Sequence, residues 1–251
     1  TLAFNLFTGE SVNNLFERVE RKLDEFSGKK FIHFIHIGKT GGSAIKYALE
    51  PYFRYHNYVI YPHSHSFKMK DAPEGEGVIF FLRDPLTRFV SGFNSRLREG
   101  QPRLYSPWTP DEVTAFERFS TPNQLAESLS DSVTSEREFA EFAMKGIKHV
   151  RNHYWDWFTD EKYFASRKKD IFFIGFQETL DIDFEILKKK LNLPVKAALP
   201  VNDVVAHRTP QNLDKRLSDL AVRNLTKWYA QDYEFIEKCK ILIEDTGLNS
   251  A

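Results

Sequence analysis

The 251-residue sequence predicts an α/β protein with a mostly parallel central sheet flanked by helices. Two observations carry that expectation. Residues 31–37, 77–82 and 171–175 are short apolar runs rich in aromatic and β-branched side chains, the pattern of strands buried on both faces. Each run leads into a turn signal and then into helical periodicity, the alternation that builds parallel sheets. With 41% hydrophobic and 15% aromatic residues there is ample material for a core. Residues 1–251 are therefore read as one domain, with residues 1–29 a helical extension packed on it.

In chain order, the first element is a helix that Ser11 is placed to cap and Gly28 to end. Val12, Leu15, Phe16, Val19, Leu23 and Phe26 form its apolar stripe, expected to pack on the sheet. The first strand stops at Gly38, and Lys39, Thr40, Gly41, Gly42, Ser43 and Ala44 lead into a helix that runs to Leu49. Strand, glycine loop and helix together present backbone N–H groups to an anion. The helix N-terminus adds about half a positive charge, and Lys39 adds a full one. A Walker A loop would need a glycine five residues before Gly38, where His33 stands, and the glycines here follow the lysine.

Residues 61–67, YPHSHSF, place His63 and His65 two apart, on one face if the strand continues. With an unperturbed pKa near ~6.5, histidine suits proton removal from an alcohol at neutral pH. No Cys, Asp or Glu lies beside this pair at ligand spacing, so no metal is predicted. The 77–82 strand is followed by Arg83, by Asp84 as N-cap and by Pro85 at the first helical position. Leu86, Phe89, Val90, Phe93 and Leu97 repeat at helical spacing as the buried stripe, while Arg88, Ser91 and Ser95 share another face. An arginine at a strand end matches a phosphate through two parallel charge-assisted bonds.

These segments resemble the PAPS-dependent sulfotransferases (PAPS is 3′-phosphoadenosine 5′-phosphosulfate), most closely the carbohydrate branch that includes heparan sulfate 2-O-sulfotransferases. The resemblance is close from Lys30 to Asn94 and loose beyond. It implies the P-loop-like sulfotransferase fold and transfer of a sulfuryl group from PAPS to a hydroxyl-bearing acceptor, with PAP as product. The acceptor it implies is a carbohydrate. Lys39, Thr40, Gly41, Gly42, Ser43 and Ala44 match its 5′-phosphosulfate loop. Arg83 and Ser91 match its 3′-phosphate motif, and Arg208 loosely matches a basic loop that closes over the cofactor. His63 and His65 match its His-x-His, with His65 as the base, His63 orienting it, and Lys39 stabilising charge on the leaving group.

Two other readings compete. A Mg-dependent nucleotide kinase with a degenerate P-loop would use Asp84 as metal ligand, but Arg83 would then place a positive charge beside the metal. A non-catalytic nucleotide-binding domain would keep the loop and leave His63 and His65 inert.

Residues 100–110 read as a loop, and the chain from Asp111 to about Phe158 as helical, with breaks near Thr121 and Gly146. His149, Arg151, His153, Tyr154 and Trp155 form an aromatic-basic cluster, read as a helix face over the core, with contact to adenine or acceptor as the alternative. After the 171–175 strand, Asp181 or Asp183 caps a helix carrying Phe184, Leu187 and Leu191. Residues 201–216 read as a polar loop, and Ser218 to about Asp245 as one long helix that buries Cys239.

Lysine plus arginine and aspartate plus glutamate each number 35, and this balance argues against nucleic acid as a partner. An acidic acceptor would require a local basic lining, for which Arg96, Arg98, Arg103 and Lys70 are candidates, each otherwise a solvated surface charge. A single cysteine excludes an intrachain disulfide, and no apolar run reaches membrane-spanning length. Both features predict a cytoplasmic protein, with an N-terminal anchor ahead of Thr1 left open.

Overall fold

The computed structural model describes residues 9–102, 104–202, 204–205 and 213–250, with side chains from Glu17 onward. Its elements are α1 (Gly9–Phe26), β1 (Lys30–Ile35), α2 (Gly42–Leu49), β2 (Arg54–Tyr55), β3 (Tyr58–Pro62), β4 (Gly77–Leu82) and α3 (Pro85–Leu97). Next come α4 (Pro110–Arg118), α5 (Pro122–Ser128), α6 (Thr134–Gly146), α7 (Trp155–Phe158), α8 (Glu161–Ser166) and β5 (Ile171–Phe176). The chain then forms α9 (Leu180–Lys190), α10 (Asp219–Trp228) and α11 (Ala230–Thr246).

The five strands lie in the order β2-β3-β1-β4-β5. β1 pairs in parallel with β3 and β4, β4 pairs in parallel with β5, and only the short β2 runs antiparallel to its neighbour. The expected α/β architecture is the observed one. From β1 the chain goes first to one side, to β3, and then to the other, to β4. Strand order therefore reverses at β1, and a crevice opens at its carboxyl end, the place where open α/β sheets bind ligands.

Alternation along each strand divides the core. Ile32, Phe34, Ile79 and Phe81 face α2 and α9, against Ile45, Leu49, Phe184 and Leu187. Ile35, Val78, Phe80 and Leu82 face the opposite layer, against Tyr154, Phe158, Phe164 and Phe235. Cys239 is buried in that second layer, a core residue as expected. A third cluster joins Phe89, Val90 and Phe93 of α3 to Phe116, Leu125, Met144 and Leu225. α3 starts as the sequence predicts, with Pro85 in its first turn and Asp84 Oδ1 accepting from the Thr87 N–H at 2.9 Å.

Arg96 and Glu112, both buried, fasten α3 to α4 by two parallel bonds of 2.7 and 2.8 Å. Glu112 also accepts the N–H groups of Thr109 and Lys148. Glu112→Gln leaves the Arg96 charge uncompensated and is expected to cost about 3–5 kcal/mol, measured by urea denaturation.

Several local expectations are corrected. The helix expected from Ser218 breaks at Tyr229, which buries its ring and donates its hydroxyl to Val150 O at 2.8 Å. One turn later Asp232 accepts the Tyr154 N–H at 2.6 Å, and α10 and α11 are separate helices on either side of Tyr229. Neither Asp181 nor Asp183 is the N-cap of α9; Thr179 is, and Asp183 sits inside the helix, taking the Phe176 N–H at 2.6 Å. Ser11 lies inside α1 rather than capping it. The α1 stripe does not pack on the sheet at Val19, Leu23 and Phe26, which are 48%, 63% and 94% exposed. Polar contacts tie α1 down instead: Arg21 to Glu76, Arg54 to Glu20 and Asp24, and Lys29 to Asp24.

Candidate active site

Three adjacent strands deliver the predicted residues to one edge of the sheet. Lys39 follows β1, His65 follows β3 and Arg83 follows β4. They open on a cleft of about 1450 Å3 whose walls include His36, Lys39, Ser43, His65, Arg83 and Ser91. Gly41, Gly42 and Ala44 line it as well.

The loop has the backbone shape that suits an anion. Lys39 and Gly41 have positive φ, 69° and 87°. Backbone turned this way gathers N–H groups into a concavity, and for a lysine it stores about 1–3 kcal/mol of strain. Among the described residues, no backbone acceptor takes the N–H groups of residues 41–43. Ala44 is an exception to the expected cradle, because its N–H goes to Gly41 O at 2.9 Å. The buried Thr40 hydroxyl donates to Ile37 O at 3.0 Å and so braces the loop from within. Arg88, fully buried, donates to Gly38 O at 3.2 Å and Asn152 O at 2.9 Å, holding the loop from behind.

Lys39 has no carboxylate partner among the described residues. Burial, together with the charges of Arg98 and Arg83, pushes its pKa down to about 7. Arg83 is fixed by Thr87 Oγ1 (3.0 Å) and Lys39 O (3.2 Å). Its backbone is clamped by the Tyr154 hydroxyl, which accepts the Arg83 N–H at 3.0 Å and donates to Arg83 O at 2.5 Å. Ser91 is buried one helical face away and lines the same cleft.

His65 Nδ1 lies 2.7 Å from His36 O. A carbonyl only accepts, so Nδ1 carries the proton and Nε2 holds the free lone pair. The residue is exposed as a whole, yet loss of hydration around the ring pushes its pKa below the usual value, and Lys46 and Lys39 add to this against the His36 carbonyl. The ring stays neutral at pH 7.

His63 does not share a face with His65 and does not touch it. The strand ends at Pro62, and the His63 ring turns toward β1, where its Nε2 lies 2.8 Å from His33 Nδ1. The expectation that His63 orients His65 directly gives way to the His36 carbonyl.

Two further histidines line the site: His36, to which the sequence does not point, and His149, one of the cluster for which contact with cofactor or acceptor is the alternative reading. The His36 ring centroid is 4.0 Å from that of His65, beneath Gly42, where a Cβ would fall 2.3 Å from His36 Cδ2. His149 packs against Gly38, where a Cβ would lie 2.8 Å from its Nδ1. These glycines make room for rings as well as for an anion. Burial first, then neighbouring positive charges, hold both rings well below the usual histidine pKa. Of the aromatic-basic cluster, Tyr154 is core and His149 reaches the cleft. Gln177 and Glu178, after β5, line the far wall, and Glu178 accepts the Asp84 N–H at 2.8 Å.

The basic lining expected for an acidic acceptor is largely used internally. Arg96 is held by Glu112, and Arg98 donates to Gln101 O and Asn94 O. Lys70 is exposed away from the cleft, and Arg103 and Arg208 lie outside the described residues.

A mostly parallel sheet with a lysine-bearing glycine loop and a histidine at its carboxyl edge, opening on one cleft, has the layout of an α/β enzyme. A family model described as "Sulfotransferase family" matches residues 26–237, and the chain belongs to that family: it is a sulfotransferase. No curated protein and no solved structure was found to match it.

Proposed function

We propose that this enzyme transfers a sulfuryl group from PAPS to a hydroxyl of a carbohydrate acceptor by in-line displacement, with His65 as the base. One observation carries the reading: Lys39, His65 and Arg83 converge from three neighbouring strand ends on a single cleft, and among the described residues no carboxylate pairs with Lys39. The cleft volume, about 1450 Å3, accommodates a nucleotide and an acceptor together.

The donor supplies a sulfuryl group on an activated phosphosulfate linkage. The N–H groups of residues 41–43, the Ser43 hydroxyl and Lys39 hold its 5′-phosphate. Arg83 and Ser91 hold the 3′-phosphate and set the register. His65 Nε2 removes the acceptor proton as the acceptor oxygen bonds to sulfur. The sulfur–oxygen bond to the phosphate breaks, its electron pair stays on that oxygen, and Lys39 stabilises the charge that develops there.

The kinase reading needs Asp84 as a metal ligand. Its Oδ1 takes the Thr87 N–H and its Oδ2 takes the Tyr233 hydroxyl at 3.1 Å, which ties the carboxylate to the fold. Calorimetry of PAP against ATP plus Mg2+, with and without EDTA, tests the assignment. Tight PAP binding unaffected by EDTA is expected; binding of ATP alone, and only with Mg2+, would overturn it.

PAP binding carries a pH signature. The free enzyme's Lys39 titrates near 7, and a bound phosphate favours its charged form, raising that pKa. Below pH 7 the ammonium is already present, and its contribution to affinity no longer changes with pH. Above it, binding takes up a proton, and affinity falls by up to about tenfold per pH unit. Calorimetry at pH 8 in two buffers of different ionisation enthalpy reads that proton.

A further inference from the structure

Behind the active site lies a hydrogen-bonded chain that the mechanism above does not use. Glu76, at the end of the loop before β4, places Oε2 at 2.7 Å from His33 Nε2. His33 Nδ1 lies 2.8 Å from His63 Nε2. His33 is buried at a mid-strand position of β1, where its neighbours Phe31 and Ile35 are apolar. Its ring stacks between aromatic planes, 5.3 Å from Tyr61 and 5.6 Å from Phe67. His63 lies flat on Phe67, 3.4 Å between centroids. Arg21 anchors the far end of the chain by pairing with Glu76.

The protons in this chain have one consistent arrangement. A carboxylate only accepts, so His33 Nε2 donates to Glu76. Burial keeps His33 neutral, so its Nδ1 is an acceptor. His63 Nε2 must then donate, and the tautomers of both rings are set by Glu76. A buried polar chain of this kind costs free energy unless every member is satisfied, and an apolar side chain would fit position 33 of the strand at no such cost.

The turn that follows explains the placement. Past Pro62 the sheet ladder ends, and His63 is the last residue fastened to β1, through its N–H to Phe34 O at 3.2 Å and through its ring to His33. Lys46 donates to the His63 carbonyl, and Trp157 Nε1 donates to His65 O at 3.0 Å. His65 itself is exposed, and its side chain has a single hydrogen bond, to His36 O. Where its Nε2 points depends on where this turn presents it, and a misplacement of about 1 Å at a reacting group can cost about 10²-fold in rate.

We propose that Glu76 and His33 are positioning residues for sulfuryl transfer: the chain Glu76–His33–His63 locks the His63 ring and, through it, the turn that carries His65. The consequence for rate rests on the reading of His65 as base; the lock itself does not.

The test uses 15N-histidine-labelled protein and three variants. His33→Phe keeps the stacked ring and removes both bonds, Glu76→Ala removes the terminal acceptor, and Glu76→Gln keeps an acceptor oxygen. Long-range 1H–15N spectra are expected to show His63 protonated on Nε2 in the native protein. In His33→Phe and Glu76→Ala that tautomer should be lost and the His65 ring signals displaced. kcat should fall at least about tenfold in both variants, with PAP affinity and donor KM within about twofold. Glu76→Gln should recover most of the rate, an outcome that a merely structural role for the carboxylate does not require. Unchanged His65 signals with native kcat in the variants would overturn the proposal, as would a native His63 protonated on Nδ1. Should His33→Phe fail to fold, the Glu76 pair decides alone. If the native enzyme binds PAP but His65→Ala transfers at the native rate, the base assignment fails, while the spectra still decide whether the lock exists.

Discussion

Lys39→Ala is expected to abolish measurable transfer while leaving a folded and more heat-stable protein. Removing one preorganised donor to a developing oxyanion costs about 10²–10³ in kcat. Losing a charge-assisted bond to the 5′-phosphate costs about 1.5–3 kcal/mol, or roughly 10- to 100-fold in PAP affinity. The sign of the stability effect follows from the depressed pKa. Lys39 titrates near 7 in the ligand-free fold, well below its ordinary 10.5. Its charge therefore opposes folding wherever the unfolded chain would carry it, fully below pH 7 and fading by 10.5. Alanine removes that opposition, so Tm without ligand should rise at pH 7, while the Tm gain that PAP gives the native enzyme should shrink. A variant that retains transfer would refute the role assigned to Lys39.

His65→Ala should separate chemistry from binding. A general base contributes about 10²–10⁴ in rate, and kcat should fall by that much. PAP affinity should stay within about twofold, because the loop and Arg83 are held by Ile37, Arg88 and Tyr154 and not by His65. The native pH profile should show the base as an acid limb. Dehydration of the ring lowers its pKa below 6.5, so kcat is expected to hold on acidification past that value and fall only further down. Weakened PAP binding with normal turnover would contradict the assignment.

Much of the site was legible because its parts are local. A glycine loop between an apolar strand and a helix needs only adjacent residues, and so does an Arg-Asp-Pro sequence at a strand end. Lys39, Arg83 and Ser91 stand where those patterns place them, and the capping of α3 by Asp84 is as read. The misreadings arise where the answer depends on a distant partner. His63 and His65 are two residues apart, and whether they share a face depends on where the strand ends, which is fixed by pairing between β1 and β3. The break at Tyr229 is made by a bond to Val150 and by Asp232 reaching Tyr154, contacts across some 80 positions. His36 carries no local signal for the cleft, since the glycine that admits its ring reads equally well as a phosphate-loop glycine, and the cluster that holds His149 reads first as a helix face over the core.

By itself the sequence determined the α/β class, the strand–glycine-loop–helix unit and the strand ends that bear Lys39 and Arg83, because period-2 and period-3.6 patterning and glycine chemistry act between neighbours along the chain. Tertiary structure decided which histidine faces the cleft, which arginines are spent inside the fold and which charge is left without a partner. Those outcomes depend on burial and on hydrogen bonds between segments far apart in the chain, where the loss of water makes each unpaired or paired charge count.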